Sequence, residues 1–210
     1  MIAITGTGRC GTMYAAEYFS MVFNFDVKHE SFGKDGISSL HLGSQKWKDL
    51  LYHNSYGYKC YIFHQVRHPL KVISSLVNRD IIGVAAEVIP QIKSDDHPLI
   101  RSAKYFYYWN RRLESMYNFD MRYHVEGMHQ KLFVKHLCRI LGIEYTPSMY
   151  VKANNINKEI NTGYMFTSAK NTTPASKLYK KRYQLSDIER LDAETAELIY
   201  HMSIQYGYTL

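Results

Sequence analysis

Short strand-like runs and longer helix-like stretches alternate along the chain in their pattern of apolar and polar positions. Residues 1–5 are apolar and β-branched, and residues 13–23 are apolar at helical spacing. The glycine-rich segment GTGRCG lies between them. Further on, FDVKHE predicts a short strand and residues 56–66 a buried one. The chain therefore begins with a strand, a glycine loop and a helix in direct succession.

The second half continues this alternation. A helix is predicted from Pro69, because a first helical turn tolerates proline. Residues 99–116 have a long helical pattern, FDMRYHVEG alternates like a strand, and MHQKLFVKHLCRILGI is an amphipathic helix that a glycine ends. Residues 186–189 begin the last helix. We interpret SFGKDGISS as a loop and residues 80–98 as an irregular segment that serves as a lid or acceptor-side loop.

Strands that alternate with helices predict an α/β fold. We expect a central parallel sheet of about four or five strands, flanked by helices, with its ligand at the carboxyl ends of the strands. The chain has 210 residues and a mass of 24.6 kDa, which favours a single domain over residues 1–210.

The net charge and the cysteine content indicate the class of partner and the cellular compartment. The formal net charge of +7 favours an anionic partner such as a nucleotide, a sulfated or phosphorylated ligand, or nucleic acid. Cys10, Cys60 and Cys138 are widely spaced without a C-x-x-C motif, which predicts neither a disulfide framework nor a zinc site and fits a cytoplasmic protein. We expect no export signal and no membrane span, since no leader or long apolar run is visible.

The glycine loop has the pattern of a phosphate site, because glycines let the backbone approach a ligand and N–H groups at a helix start point at an anion. Residues 6–11 spell G-x-G-x-x-G. A dinucleotide site would use an acidic residue about 20 positions further on, where Asp26 and Glu30 lie. A nucleotide-hydrolysing P-loop would need Lys-Ser/Thr where Thr12 and Met13 stand. A tight turn without a ligand is the remaining alternative.

A second motif, VRHPLKVISS, follows a later predicted strand. Arg67 comes directly after the strand, and Ser75 lies two helical turns further on. A guanidinium at a strand end and a hydroxyl on the next helix can bind one phosphate together. Two anion sites on one sheet predict a nucleotide that is phosphorylated in two places.

Together, GTGRCGT and VRHPLKVISS resemble the paired signatures of the sulfotransferase superfamily, which uses 3′-phosphoadenosine 5′-phosphosulfate (PAPS) and releases 3′-phosphoadenosine 5′-phosphate (PAP). A looser likeness to bacterial, viral and carbohydrate-type members extends through VKHESFGKDGISS, YWN, LCRILGI and YGY. The resemblance implies a three-layer P-loop NTPase-like fold and no requirement for a metal. It places Arg67 and Ser75 on the 3′-phosphate. It also implies nucleotide contacts for Gly8, Arg9, Cys10, Gly11, Thr12 and Met13.

Cys10 is the departure from the family's pattern, since many members have serine there. We interpret it as a plain replacement for serine; the alternative is a thiol whose pKa is lowered at the helix start.

The resemblance also implies the catalytic residues. Arg9 would stabilise the leaving group, and Glu30 would be the base, as a glutamate is in carbohydrate-type members. His29 is a second candidate base, and because adjacent strand residues face opposite ways, we expect only one of His29 and Glu30 to point into the site. His41 is the third, because phenol-type members use a histidine before the second motif.

A late polar stretch, TSAKNTTPASKLYKK, matches the place where the family has a loop over the nucleotide, and it makes Lys170 a predicted nucleotide contact. The predicted acceptor is a hydroxyl or amine on a glycan or small alcohol. Two other functions stay open. An NAD-type oxidoreductase would leave Arg67 and Ser75 unexplained, and a basic nucleotide- or nucleic-acid-binding module without catalysis would explain the charge but not the paired motifs.

Overall fold

The computed structural model describes residues 1–77, 83–156 and 181–210. These residues include a five-stranded sheet in which every strand pairing is parallel, with the order β2-β3-β1-β4-β5. The strands are β1 (Ile2–Thr5), β2 (Val27–His29), β3 (Gly36–Ser38), β4 (Tyr61–Val66) and β5 (Met121–His124). The predicted α/β fold with a central parallel sheet is confirmed.

Helices cover both faces of the sheet and connect the strands, except that residues 30–35 join β2 to β3 without a helix. In chain order they are α1 (Thr12–Phe23), α2 (Gln45–Asn54), α3 (Pro69–Leu76), α4 (Gly83–Ala86), α5 (Pro98–Met116), α6 (Lys131–Leu141), α7 (described over residues 147–156), α8 (Leu185–Glu189) and α9 (Ala193–Gln205). Single 3₁₀ turns occupy Leu40–Gly43 and Val125–Gly127. That residues 1–210 form a single domain stays a prediction.

Two apolar cores lie on the two faces of the sheet. One core contains Phe19 of α1 with Val134 of α6, and the other contains Ile73 of α3 with Trp109 of α5. All four residues of β1 are buried, as expected of a central parallel strand covered on both faces. The molecule therefore has three layers, with the sheet in the middle.

The structure differs from the predicted elements in three places. The segment SFGKDGISS, interpreted as a loop, contains β3, which is only three residues long and therefore has too short an apolar pattern to be recognised. β4 begins at Tyr61 and not at residue 56. The last predicted helix is divided into α8 and α9, because Asp192 caps the start of α9 by accepting a hydrogen bond from the N–H of Thr195.

A buried polar network joins β4 to α5 and β5. Nε2 of His64 lies 3.0 Å from Oδ1 of Asn110, and Arg122 donates from Nε to Nδ1 of His64 at 3.1 Å. Burial, assisted by the Arg122 charge, lowers the pKa of His64 to about 3. The imidazole is therefore neutral at physiological pH and serves as a core hydrogen-bonding group. No helix in the described ranges is long and apolar enough to cross a membrane.

We predict that Gly43→Ala destabilises the protein by about 1–3 kcal/mol, because overpacking a filled core costs that much. A Cβ atom at Gly43 would lie 2.4 Å from Cζ2 of Trp109, whose side chain is fully buried. Urea unfolding followed by circular dichroism measures the change in the free energy of unfolding. Gly127→Ala is the matched control, since its nearest neighbour would be 4.0 Å away. Equal midpoints for the two variants would contradict the prediction.

Candidate active site

The loop between β1 and α1 turns sharply against the end of β4. Arg9 and Gly11 have positive φ values of 71° and 100°, and α1 begins directly after Gly11. A Cβ atom on Gly6 would lie 2.3 Å from the carbonyl oxygen of Gln65, so this approach requires glycine. The positive end of the α1 dipole is thereby directed into the loop, which is the arrangement that binds anions.

Buried side chains from other elements hold this loop. Gln65 donates from Nε2 to the carbonyl oxygen of Cys10 at 2.8 Å, and the hydroxyl of Tyr123 donates to Oε1 of Gln65 at 2.7 Å. Tyr105 on α5 accepts a hydrogen bond from the N–H of Gly8 at 2.9 Å. Sequence reasoning missed all three side chains. The polar Gln65 inside an apolar strand was a usable signal, whereas nothing distinguishes Tyr105 within its aromatic stripe.

The second motif lies directly beside the loop. Arg67 donates from Nη1 to the carbonyl oxygen of Arg9 at 3.2 Å, and Arg9 donates from Nε to the hydroxyl of Ser75 at 3.0 Å. The structure therefore brings the two predicted anion sites together into one cationic cluster. Arg9, which was predicted to contact the nucleotide and to stabilise the leaving group, also contacts the helix that carries Ser75.

Glu30 follows β2 at the carboxyl edge of the sheet. Its carboxylate accepts hydrogen bonds from the hydroxyl of Ser39 and from the N–H of Leu40, the latter at 3.4 Å. His41 and His29 flank it, with ring nitrogens 3.4 Å and 3.7 Å from its oxygens. The three candidate bases thus form one cluster.

The expectation that only one of His29 and Glu30 points into the site was wrong. β2 ends at His29, and Glu30 has a φ of 55°, in the left-handed region. The strand alternation that would separate the two side chains therefore stops before Glu30. As a result, the His29 ring and the Glu30 carboxylate lie side by side.

The two histidines face Glu30 with different ring nitrogens. Nδ1 of His29 lies 3.2 Å from the carbonyl oxygen of Ser38, so it carries the proton there and leaves Nε2 as the acceptor in the neutral ring. His41 faces Glu30 with Nε2, and its ring stacks on Trp47 at a centroid distance of 5.4 Å. Trp47, which sequence reasoning did not single out, fixes the position of this imidazole.

Two serines at the end of β3 connect the base cluster to the glycine loop. The hydroxyl of Ser38 donates to the carbonyl oxygen of Thr12 at 2.7 Å, and the N–H of Ser39 donates to the carbonyl oxygen of Ile4 at 2.9 Å. Both serines are buried. Hydrogen bonds through these two serines therefore set the position of Glu30 relative to the glycine loop.

The Cys10 thiol is buried, and this burial raises its pKa to about 12. The alternative of a lowered thiol pKa at the helix start is therefore wrong, because desolvation outweighs the nearby positive charges of Arg67 and Arg9. The Cys10 thiol packs against Gly6, where a Cβ atom would lie 2.6 Å from its sulfur.

Other residues from the sequence analysis lie away from the site or outside the description. Lys170 falls outside the described residues. Asp26 precedes β2, and its carboxylate accepts a hydrogen bond from the N–H of Lys34 at 2.8 Å. Within the described part of the chain, no group of three or more His, Cys, Asp or Glu side chains could hold a metal ion.

Solved structures with a similar fold are sulfotransferases. A sulfotransferase domain from the curacin biosynthetic pathway has a TM-score of 0.52 at 12% identity, over 100% of this chain and 98% of that one. A sulfotransferase domain from the Synechococcus PCC 7002 olefin synthase has a TM-score of 0.51 at 13% identity, over 100% and 95%. Mouse sulfotransferase SULT7A1, complexed with PAP, has a TM-score of 0.54 at 14% identity, over 96% and 83%.

These likenesses confirm a sulfotransferase-type fold. No protein-family model matches the sequence, and no curated protein matches it either. The identities are low, so the assignment of activity depends on the site geometry.

We predict that Cys10 resists alkylation in the folded protein. Raising a thiol pKa from 9.0 to about 12 lowers the thiolate fraction about a thousandfold at pH 8, and the thiolate is the reactive form. Iodoacetamide labelling at that pH, read by mass spectrometry of the peptides, should leave Cys10 unmodified until urea is added. Labelling of Cys10 in the folded protein as fast as in urea would contradict this assignment.

Proposed function

We propose that this protein transfers the sulfuryl group of PAPS to a hydroxyl or amine of an acceptor, a glycan or a small alcohol, and releases PAP. The observation that carries the proposal is the hydrogen-bonded series Arg67, Arg9 and Ser75, which joins the glycine loop to the second motif. The sulfotransferase-type fold supports it, as does the PAP bound to one structure of that fold.

The geometry disfavours an NAD-type oxidoreductase. Asp26 comes before β2, at the edge of the sheet opposite to the glycine loop. Glu30 follows β2, but β3 separates β2 from β1, a distance of about 10 Å at the usual strand spacing. In a dinucleotide-binding sheet the second strand lies directly beside the first. Neither carboxylate therefore occupies the place from which a ribose would be held.

In the proposed complex the protein binds the nucleotide at two ends. The glycine loop, Arg9 and the Thr12 hydroxyl would bind the 5′-phosphosulfate, and Arg67 and Ser75 would bind the 3′-phosphate. Lys170 stays a predicted contact from the late polar stretch. A fixed guanidinium binds a phosphate with two parallel hydrogen bonds, which suits Arg67 at the rigid end of β4.

Transfer would proceed through a loose, in-line transition state. The acceptor oxygen forms a bond to sulfur while the bond from sulfur to the bridging oxygen breaks, and the developing charge falls on the 5′-phosphate of PAP. Arg9 and the loop N–H groups would stabilise that charge. Glu30, oriented by Ser39 and Leu40, would accept the proton from the acceptor hydroxyl, with His29 and His41 beside it.

We predict that PAP binds more tightly than adenosine 5′-monophosphate, and that NAD binds more weakly than either. Arg67→Gln should weaken PAP binding about 10- to 100-fold, the value of a hydrogen bond to a charged group, and leave the affinity for the monophosphate unchanged. Calorimetry measures each affinity, with the exposed Arg190→Gln as the control. Equal affinities for PAP and the monophosphate would contradict the assignment of Arg67 and Ser75. A parallel loss for both ligands would instead show that Arg67 only supports the loop.

Glu30→Gln should retain PAP binding and lower kcat for sulfate transfer about 10²- to 10⁴-fold, because an amide cannot accept the proton. Transfer of labelled sulfate from PAPS to a panel of glycans and alcohols measures this, with the exposed Glu197→Gln as the matched control. Full activity of Glu30→Gln would transfer the role of base to His29 or His41, and His29→Asn and His41→Asn distinguish these two.

A further inference from the structure

An open groove of about 470 Å³ runs between α1 and β2, the strand at one edge of the sheet. Along α1 its lining extends from Met13 to Met21, a rise of about 12 Å at 1.5 Å per residue. Val27, Lys28 and His29 all line it. Because consecutive side chains of a strand face opposite ways, the groove follows the open edge of β2 itself.

One end of the groove lies beside both the glycine loop and the cluster around Glu30. Met13 lies there in the first turn of α1, directly after the glycine loop and Thr12, and His29 and Ser31 lie on either side of Glu30 in the chain. His29 lines the groove and also places its Nδ1 3.7 Å from the carboxylate of Glu30. A molecule lying in the groove therefore has one end beside the proposed base.

The lining is mixed, with methionines near both ends of the α1 stretch and acidic side chains at Glu17 and Asp26. Met13 and Met21 supply the exposed apolar surface, since these residues are 39% and 46% exposed, whereas Ala16 and Val27 are buried beneath it. Because methionine side chains are flexible, they can adapt to ligands of different shape. Ser20 and Asp26 lie at the far end.

Charge distinguishes this groove from the nucleotide site. Two acidic side chains, Glu17 and Asp26, line it together with one lysine, Lys28, in a chain whose net charge is +7. The cations Arg9 and Arg67 belong to the cluster proposed for the nucleotide. An acceptor with an anionic tail would place like charges side by side at Asp26, which is unfavourable.

We propose that the groove binds the body of the acceptor, and that this acceptor is an elongated alcohol with an apolar chain and an uncharged or cationic far end. The proposal rests on the proposed function, since the reacting hydroxyl would lie beside Glu30. It selects small linear alcohols over anionic glycans.

Three alcohols of equal length test the substrate class: 1,8-octanediol, 8-amino-1-octanol and 8-hydroxyoctanoate, each assayed with PAPS. The wild-type protein should show a KM for the diol and the amino alcohol about tenfold or more below that for the hydroxy acid. Glu17→Lys should narrow this difference, whereas Glu197→Lys on α9 should leave it unchanged.

Filling the groove with a bulky side chain tests whether the acceptor binds there. Ser20 is exposed on α1, so Ser20→Trp should fold and raise the KM for the diol about tenfold while leaving PAP affinity unchanged. Ser115→Trp, an exposed serine on α5, is the matched control and should change neither value.

An unchanged KM in Ser20→Trp, or a preference for the hydroxy acid, would overturn the groove as the acceptor site. Transfer to none of the three alcohols by a protein that binds PAP would overturn the substrate class. In each of these cases PAP binding would still support the proposed function. A wild-type protein that does not bind PAP overturns the proposed function itself.

Discussion

The contact between the glycine loop and the end of β4 brings distant parts of the chain together. The backbone at Gly6 approaches the carbonyl oxygen of Gln65 so closely that no side chain fits between them, and the Gln65 amide bonds to the carbonyl of Cys10. Arg67 follows two residues after Gln65, so the same contact delivers its guanidinium to Arg9. Because a close-packed interior has few alternative arrangements, this one approach sets the position of the cationic cluster.

Backbone strain is concentrated at the residues with proposed chemical roles. Among the described residues other than glycine, Arg9, Asn24 and Glu30 have positive φ. Asn24 ends α1, where a left-handed residue is usual. Arg9 and Glu30 have no such reason, and a left-handed non-glycine residue costs on the order of 1–3 kcal/mol. Hydrogen bonds from Arg67 and Ser39 accompany these two conformations and offset part of that cost.

Several parts of the fold and the site were predictable from local patterns. β1, α1 and the glycine loop follow from a few adjacent residues, and the arginine and serine of the second motif carry their own spacing. β3 was missed because three residues contain too little periodicity. Tyr105 and Trp47 were missed because an aromatic side chain that bonds to a loop or stacks on a histidine has the same local sequence as one in the core.

The sequence by itself determined the α/β class, the presence of two motifs that are predicted to bind anions, and the set of candidate bases. These follow from residue type and spacing, which act within one or two elements. Only the tertiary structure decided that Arg9 bridges the two motifs, that His29 and His41 both reach Glu30, and that burial raises the pKa of the Cys10 thiol. Those properties depend on distances and desolvation between segments far apart in the chain, and no local pattern encodes them.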